Sequence, residues 1–254
     1  MSETIKLKKP FRRVPKECPL SGKLHKQEVS QELVSETLPE TVEAMGDHPT
    51  KKLLLATVIT ELDTHDAEHL TAEHILEVSG VAKGSLYHHF KDFPELLECA
   101  LVVRYSKYGQ SVVSALTEIL NNNANIEDAR AAFGVFIRSG QTRYVLADRY
   151  ERIACLYRAS QSEHMKSLLS VEQEKINQQW VTVYKNYNAK GWAVTGLEPR
   201  TVGILFQSTL VGRVIGDISA YESMDLTEWE KTVTYAVNAF LFNGSDKQED
   251  NGAH

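Results

Sequence analysis

"LTAEHILEVSGVAKGSLYHHFKDFPELL", residues 70–97, is the stretch from which the fold reads most directly. Thr71 is a residue type that caps helix N-termini, and Leu70 before it with Ile75 four positions into the helix has the pattern of a hydrophobic staple. Ile75 and Val78 are expected to continue the buried side as far as Ser79-Gly80, where glycine can take the left-handed turn that ends a short helix. A second short helix is expected from Lys83 to Phe90. Leu86 and Phe90 share its inner face, while Lys83 with Tyr87, and Gly84 with His88, are four-apart pairs on the other side. "DFPE" (92–95) starts a further helix, with Asp92 as cap, Pro94 in the first turn and Glu95 reaching back as in a capping box.

Outward from this stretch the pattern stays helical. Upstream, Thr50 can cap a helix whose Leu54, Leu55, Val58, Ile59 and Leu62 form one apolar stripe, until the charged "ELDTHDAEH" (61–69) breaks it. Downstream, the helix begun at Asp92 runs to about Leu120, and further helices are expected over 126–139, 143–160, 162–189, 199–220 and 226–242. Nothing in this half reads as a strand, so the fold class is all-α. Apolar residues at 42% and charged residues at 24% suit an ordinary globular chain, and 254 residues suffice for a sizeable core. No run of 18 apolar residues occurs and the start of the chain lacks a signal-peptide stretch, so a cytoplasmic protein without a membrane partner is expected. Cys18, Cys99 and Cys155 are too widely spaced for a disulfide framework or a zinc ribbon and read as reduced thiols.

Two short helices joined by a glycine turn, with a third before them, form a helix-turn-helix candidate, in which the second helix of the pair enters the DNA major groove. A lysine at the helix start, a glycine allowing close approach, and Ser85, Tyr87 and His88 as donors suit phosphates and base edges. Residues 70–97 resemble the DNA-binding segment of the tetracycline-repressor (TetR) family of transcriptional regulators, with Gly80-Val81, Lys83-Gly84, Leu86-Tyr87 and Phe90 in register. The likeness extends more loosely to the helix at 50–62 and to the C-terminal layout.

The resemblance implies a homodimer on a near-palindromic double-stranded operator, usually as a repressor, controlled by a small-molecule effector. It divides the chain into a flexible extension (1–49) with a basic arm, a three-helix DNA-binding domain (50–95), a larger helical effector-binding and dimerisation domain (96–243) and a disordered tail (244–254). On matching positions, Thr71, Tyr87 and Lys91 would hold phosphates, and Lys83, Gly84, Ser85 and His88 would face the groove. The sequence departs from the family pattern at three positions. Ala82 stands where a serine or threonine usually caps the recognition helix, Leu76 replaces a small alanine, and Phe93 replaces a frequent phosphate-contacting lysine.

Charge sets a condition on this reading. Residues 51–108 hold six Lys and Arg (51, 52, 83, 91, 104, 107) against nine Asp and Glu (61, 63, 66, 68, 73, 77, 92, 95, 98), a net of 6 − 9 = −3. A DNA reader with this balance must gather its positive charge on one face, because phosphate neutralisation dominates affinity. The arm at 6–16, with Lys6, Lys8, Lys9, Arg12, Arg13, Lys16 and no acid, could supply more, or could be a solvated tail. A helix-turn-helix used for protein–protein interaction is the alternative.

Other chemistries are weaker. His65 and His69 are four apart, as a metal pair would be, yet they sit in the charged break with no cysteine nearby, so no metal or cofactor is expected. Adjacent helix residues such as His88 and His89 point about 100° apart, so no catalytic pair and no enzyme activity are expected.

In the C-terminal half, Ser208, Gly212, Gly216 and Ala220 form a small-residue stripe flanked by Leu205, Val211 and Ile215, which would let another helix approach. The last helix offers Trp229, Val233, Val237, Phe240 and Leu241 on one side. By the resemblance, Leu205, Ser208, Gly212, Gly216, Trp229, Val233, Val237 and Phe240 would build a four-helix dimer interface. Phe133, Phe136, Tyr144, Tyr150, Tyr157, Arg149, Arg152 and Arg158 mark the middle helices as the place for an anionic or aromatic effector. The same pattern also fits core aromatics and solvated arginines, so no single residue is assigned to a pocket.

Overall fold

The computed structural model of the chain describes residues 48–139, 143–218 and 225–242, with the side chains of 139, 143–147 and 240 outside the description. The basic arm, Cys18, Ala220 and the tail from 244 lie outside the described residues, as do the side chains of Tyr144 and Phe240. Among the described residues there are ten helical segments and no strand. They are α1 (Pro49–Glu61), α2 (Ala72–Ser79), α3 (Lys83–His89), α4 (Phe93–Asn122), α5 (Ile126–Ser139), α6 (Arg143–Gln161), α7 (Glu163–Ala189), α8 (Pro199–Gly212), α9 (Val214–Asp217) and α10 (Leu226–Leu241). The chain is all-α, as expected.

Local chemistry explains most boundaries. Thr71 accepts a hydrogen bond from the His74 N–H, Gly80 ends α2 with φ 66°, and Asp92 accepts from the Glu95 N–H. Two details differ from expectation. His48, not Thr50, caps α1 through Nδ1, because Pro49 occupies the first turn, where its missing N–H is harmless. Glu95 reaches back to the N–H of Lys91, one residue before the cap.

Val78 is a further correction: it is 49% exposed. Ala72, Ile75, Leu76 and Ser79, the i, i+3, i+4, i+7 set, form the inner face of α2, which leaves Val78 about 100° from its centre. The expected 199–220 helix is also interrupted, ending at Gly212 and resuming as the one-turn α9. At the break, buried Arg213 turns inward, 2.9 Å from Asp217 and over the ring of Trp229.

The body is organised around α4 and α7, which pack along each other, with α1 against α4 and α8 against α7. Its centre is aromatic: Phe133, Phe206 and Phe242 gather with Trp180 and Tyr187, with ring centroids 4.7 Å apart for Trp180 and Phe206. Each such fully buried ring contributes on the order of 2–3 kcal/mol by removal from water. Close helix approach occurs at Gly203, where a Cβ would stand 2.7 Å from Trp180 Cβ. No atom lies within 4 Å of the corresponding position at Gly212, so the expected small-residue stripe is not what brings α8 onto its own subunit.

Candidate nucleic-acid interface and adjoining cleft

The outer face of α3 is held in place from behind. Leu86 is fully buried and Phe90 is 2% exposed, with the ammonium of buried Lys51 5.2 Å above the Phe90 ring. Ala82 gives α3 no side-chain cap, so this helix depends on those two anchors more than on its own ends. Lys83, Gly84, Tyr87 and His88 are exposed on the other side, with Thr71 and Lys91 exposed nearby and Ser85 half-buried. Among the described residues no carboxylate pairs with the side chain of Lys83 or Lys91. The Thr71 hydroxyl accepts its cap bond and keeps its own hydrogen to donate outward. His89 is half-buried beside His48 and His88, with ring centroids 4.3 and 5.0 Å away. Burial first, then those two rings and Lys51, hold it below the usual imidazole pKa, so it is a neutral edge of the helix.

The acidic residues that weigh against DNA are largely engaged within the chain. Glu61 accepts from His74 Nε2 at 2.7 Å, Asp63 from Arg104 at 2.9 Å, and Glu98 from His164 Nδ1 at 2.8 Å. Asp66 lies 3.7 Å from His69 and Glu68 3.9 Å from Arg158, while Asp92 and Glu95 close the start of α4. Seven of the nine carboxylates of residues 51–108 thus have a partner within the chain, two of them an arginine, whereas among the described residues Lys83 and Lys91 meet no carboxylate.

His65 and His69 do not converge. Instead Glu61, His65 and His74 place one ligand atom each within 4.8 Å of one another. Two imidazoles and a carboxylate form a set that could hold a divalent metal. As they stand, the hydrogen bond from His74 to Glu61 ties the start of α2 to the end of α1.

Beside this three-helix head lies a cleft of about 360 Å³ between α1, α4 and α6, lined among others by Ile59, Leu101, Arg104, Tyr108, Glu151 and Arg152. Arg104 uses its whole fork here, with Nε and one terminal nitrogen on the two oxygens of Glu151, and the other terminal nitrogen on Asp63 and the Ile59 carbonyl. Burial alone would lower its pKa, but the bonds to Glu151 and Asp63 outweigh it and hold the guanidinium above its usual value. Arg152 is 6% exposed, with its guanidinium carbon 4.5 and 4.6 Å from the ring centroids of Tyr105 and Tyr108.

Of the residues that marked the middle helices for an effector, only Arg152 lines this cleft. Phe133 and Phe136 belong to the aromatic core, Tyr150 and Tyr157 are exposed, Arg149 is buried 3.6 Å from Asp217, and Arg158 faces Glu68. Sequence reading missed the α4 side of the cleft. The signal was present in "RYSKY" (104–108), where a cation followed by a tyrosine recurs three residues on, directly after the apolar run "ALVV" (100–103).

The proposed dimer residues divide as well. Leu205 and Ser208 are exposed, and Gly212, Gly216 and Trp229 are half-buried. Val233 and Val237 are 5% and 0% exposed, because α10 packs them into its own subunit's core rather than turning them outward. Among the described residues, Ile204, Leu205, Ile215, Ile218, Leu226 and Tyr235 are the large apolar side chains left exposed from α8 to α10.

No protein-family model matches the chain, and no curated protein matches its sequence. Solved structures do. A TetR-family transcriptional regulator from Cytophaga hutchinsonii aligns with TM-score 0.54 and 9% identity, over 82% of this chain and all of its own. Salmonella enterica GusR aligns with TM-score 0.54 and 16% identity, over 76% of this chain and 95% of its own. Reduced NemR of E. coli aligns with TM-score 0.52 and 18% identity, over 76% of this chain and 97% of its own. The chain has the all-α fold of the TetR-family transcriptional regulators.

Proposed function

We propose that the chain is a DNA-binding transcriptional regulator, with residues 50–95 as its reading head and 96–243 as an effector-binding and dimerisation body. The observation that carries this reading is the outer face of α3. Lys83, Gly84, Tyr87 and His88 are exposed together, Lys91 follows, and Leu86 and Phe90 lock the helix from behind. A short helix with rigid backing and unpaired cations suits insertion into a major groove. The reading contains no catalytic step, and among the described residues no helix is long and apolar enough to cross a membrane.

Two copies would place two α3 helices in successive major grooves about 34 Å apart on a near-palindromic operator, usually to repress. Ile204, Leu205, Ile215 and Ile218 supply an apolar surface for that pairing. An effector in the body would alter the separation of the heads. Selection of bound fragments from genomic DNA, followed by fluorescence anisotropy on the selected site, tests the reading. A selected inverted repeat bound far more tightly than random DNA is the expected result. Equal binding to all fragments at matched salt would leave the helix-turn-helix as a protein-interaction unit. Sedimentation analysis of Leu205→Glu with Ile215→Glu tests the pairing, with a shift from dimer to monomer expected.

A further inference from the structure

Arg152 presents an unusual electrostatic problem. It is 6% exposed, yet among the described residues its one hydrogen bond is a long 3.4 Å contact to the Tyr105 hydroxyl, and its Nε, itself out of contact with solvent, finds no acceptor among them. Among the described residues no carboxylate pairs with it. A buried cation without a counter-charge is costly, and such groups persist where something else supplies the charge.

The surroundings indicate what that is. Glu151 lines the same cleft, but both of its oxygens are taken by Arg104. Lys107 and Asp148 are exposed at the rim with opposite signs, and the one surplus negative charge nearby, that of Glu151 and Asp63 together against Arg104, is bonded to Arg104, so no carboxylate bonds the Arg152 guanidinium directly. The walls beside it are apolar or aromatic: Ile59, Leu101, Cys155 and the faces of Tyr105 and Tyr108. The volume, about 360 Å³, falls within the roughly 300–1,000 Å³ typical of small-molecule sites.

We propose that the cleft between α1, α4 and α6 binds a small organic carboxylate, whose charged end is received by Arg152 and whose apolar body lies against Tyr108, Leu101 and Ile59. Arginine presents in-plane N–H donors in a fork that matches a carboxylate. The tyrosine rings that flank the guanidinium hold it without using up those donors, apart from the one long bond to Tyr105.

The site adjoins two connections that could carry its occupancy elsewhere. Arg104, in the same wall, grips Asp63 and the Ile59 carbonyl at the end of α1, so it links the cleft to the reading head. The Tyr105 hydroxyl donates to Gln173, whose amide donates to Asn177 and to Gln207 on α8. Binding would therefore bias both the head and the helix that carries the exposed pairing surface. This regulatory consequence rests on the reading of the chain as a DNA-binding regulator; the anion site itself does not.

The test uses the full chain with benzoate and hexanoate as probes, benzamide as the neutral counterpart, and inorganic phosphate as an anion without an apolar body. Calorimetry and thermal unfolding are expected to show saturable binding of at least one carboxylate, about tenfold or more tighter than benzamide, with no comparable effect of phosphate. Arg152→Gln is expected to abolish carboxylate binding while unfolding at or above the temperature of the unliganded parent, since a buried charge with no directly bonded counter-charge has been removed. No binding of either carboxylate up to about 10 mM overturns the proposal, as do equal binding of benzamide or phosphate, or unchanged binding by Arg152→Gln. The comparison with benzamide needs no variant and so does not depend on the variant's folding. These assays contain no DNA. Carboxylate binding without operator binding would overturn the regulator reading alone, and operator binding without carboxylate binding would overturn the anion site alone.

Discussion

Arg104 and Glu151 are joined by two parallel hydrogen bonds, of 2.6 and 2.9 Å, across the space between α4 and α6. The same guanidinium reaches the last turn of α1 through the Ile59 carbonyl and Asp63 just beyond it, so one side chain fastens the head to the body at two places. The Arg104 side chain is 19% exposed and that of Glu151 29%, which places the pair between a surface and a fully buried bridge. Arg104→Gln is expected to destabilise by about 2–3 kcal/mol, since it leaves Glu151 and Asp63 unpaired at a partly buried site. Chemical denaturation measures the loss. A double-mutant cycle with Glu151→Gln should give a coupling of about 1 kcal/mol or more, and additive losses would show that the two side chains act independently.

The head was legible in the sequence because its determinants are local. Thr71, Gly80 and Asp92 each act on backbone groups within four residues, and Leu86 with Phe90 mark the inner face of α3 by spacing alone. The cleft was not legible because its parts are distant in the chain: Arg104 and Glu151 are 47 positions apart, as are Tyr105 and Arg152. Periodicity identified Val233 and Val237 as an apolar stripe, but it does not say whether a stripe meets its own core or a partner. Nor did it show the break at Arg213, where the buried guanidinium meets Asp217 and Trp229, contacts 4 and 16 positions ahead that spacing does not encode.

Gly84 separates folding from DNA binding. Its φ is not positive, and no atom lies within 4 Å of where a Cβ would be, so the chain itself does not require glycine there. Gly84→Ala is expected to leave the unfolding temperature unchanged or raise it, since alanine is favoured over glycine in a helix by roughly 0.5–1 kcal/mol. Operator affinity is expected to fall by about tenfold or more, because the added methyl occupies space reserved for the DNA surface. Lys83→Ala, by comparison, should lower the slope of binding against salt by about 1. Normal operator binding by both variants would remove this face of α3 from the interface.

Cys99 and Cys155 are 0% and 2% exposed, and burial pushes both thiols from 9.0 up to about 12. Thiolate is the reactive form, so neither should be alkylated in the native protein at about pH 8, while both should label on unfolding. Peptide mass analysis after brief iodoacetamide treatment measures this, and labelling of either in the native state would contradict the burial. The sign of the pH effect follows from the direction of the shift. Well below pH 9.0 the thiols are protonated in both states and contribute no pH dependence; as the pH rises through 9.0 towards about 12 the unfolded chain ionises while the fold does not, so stability falls. Cys99→Ala with Cys155→Ala should flatten the decline in unfolding temperature between about pH 8.5 and 10.5 relative to the parent, whatever offset the lost packing introduces.

Two glycines of α8 make opposite predictions. At Gly203 a Cβ would stand 2.7 Å from Trp180 Cβ and 3.1 Å from its Cγ, atoms that cannot move aside without displacing α7 or the indole at the centre of the aromatic core. Gly203→Ala is expected to cost about 1–3 kcal/mol, the usual penalty for overpacking, even though alanine favours the helix. At Gly212 the same methyl meets nothing within 4 Å, so Gly212→Ala should leave the stability of the single subunit unchanged or higher. Denaturation of both variants at low protein concentration, with sedimentation at high concentration, separates the two effects. If Gly212→Ala preserves the subunit but weakens self-association, Gly212 is where a partner helix comes close; if both properties are unchanged, that partner contacts α8 elsewhere, along Ile204, Leu205 and Ile215.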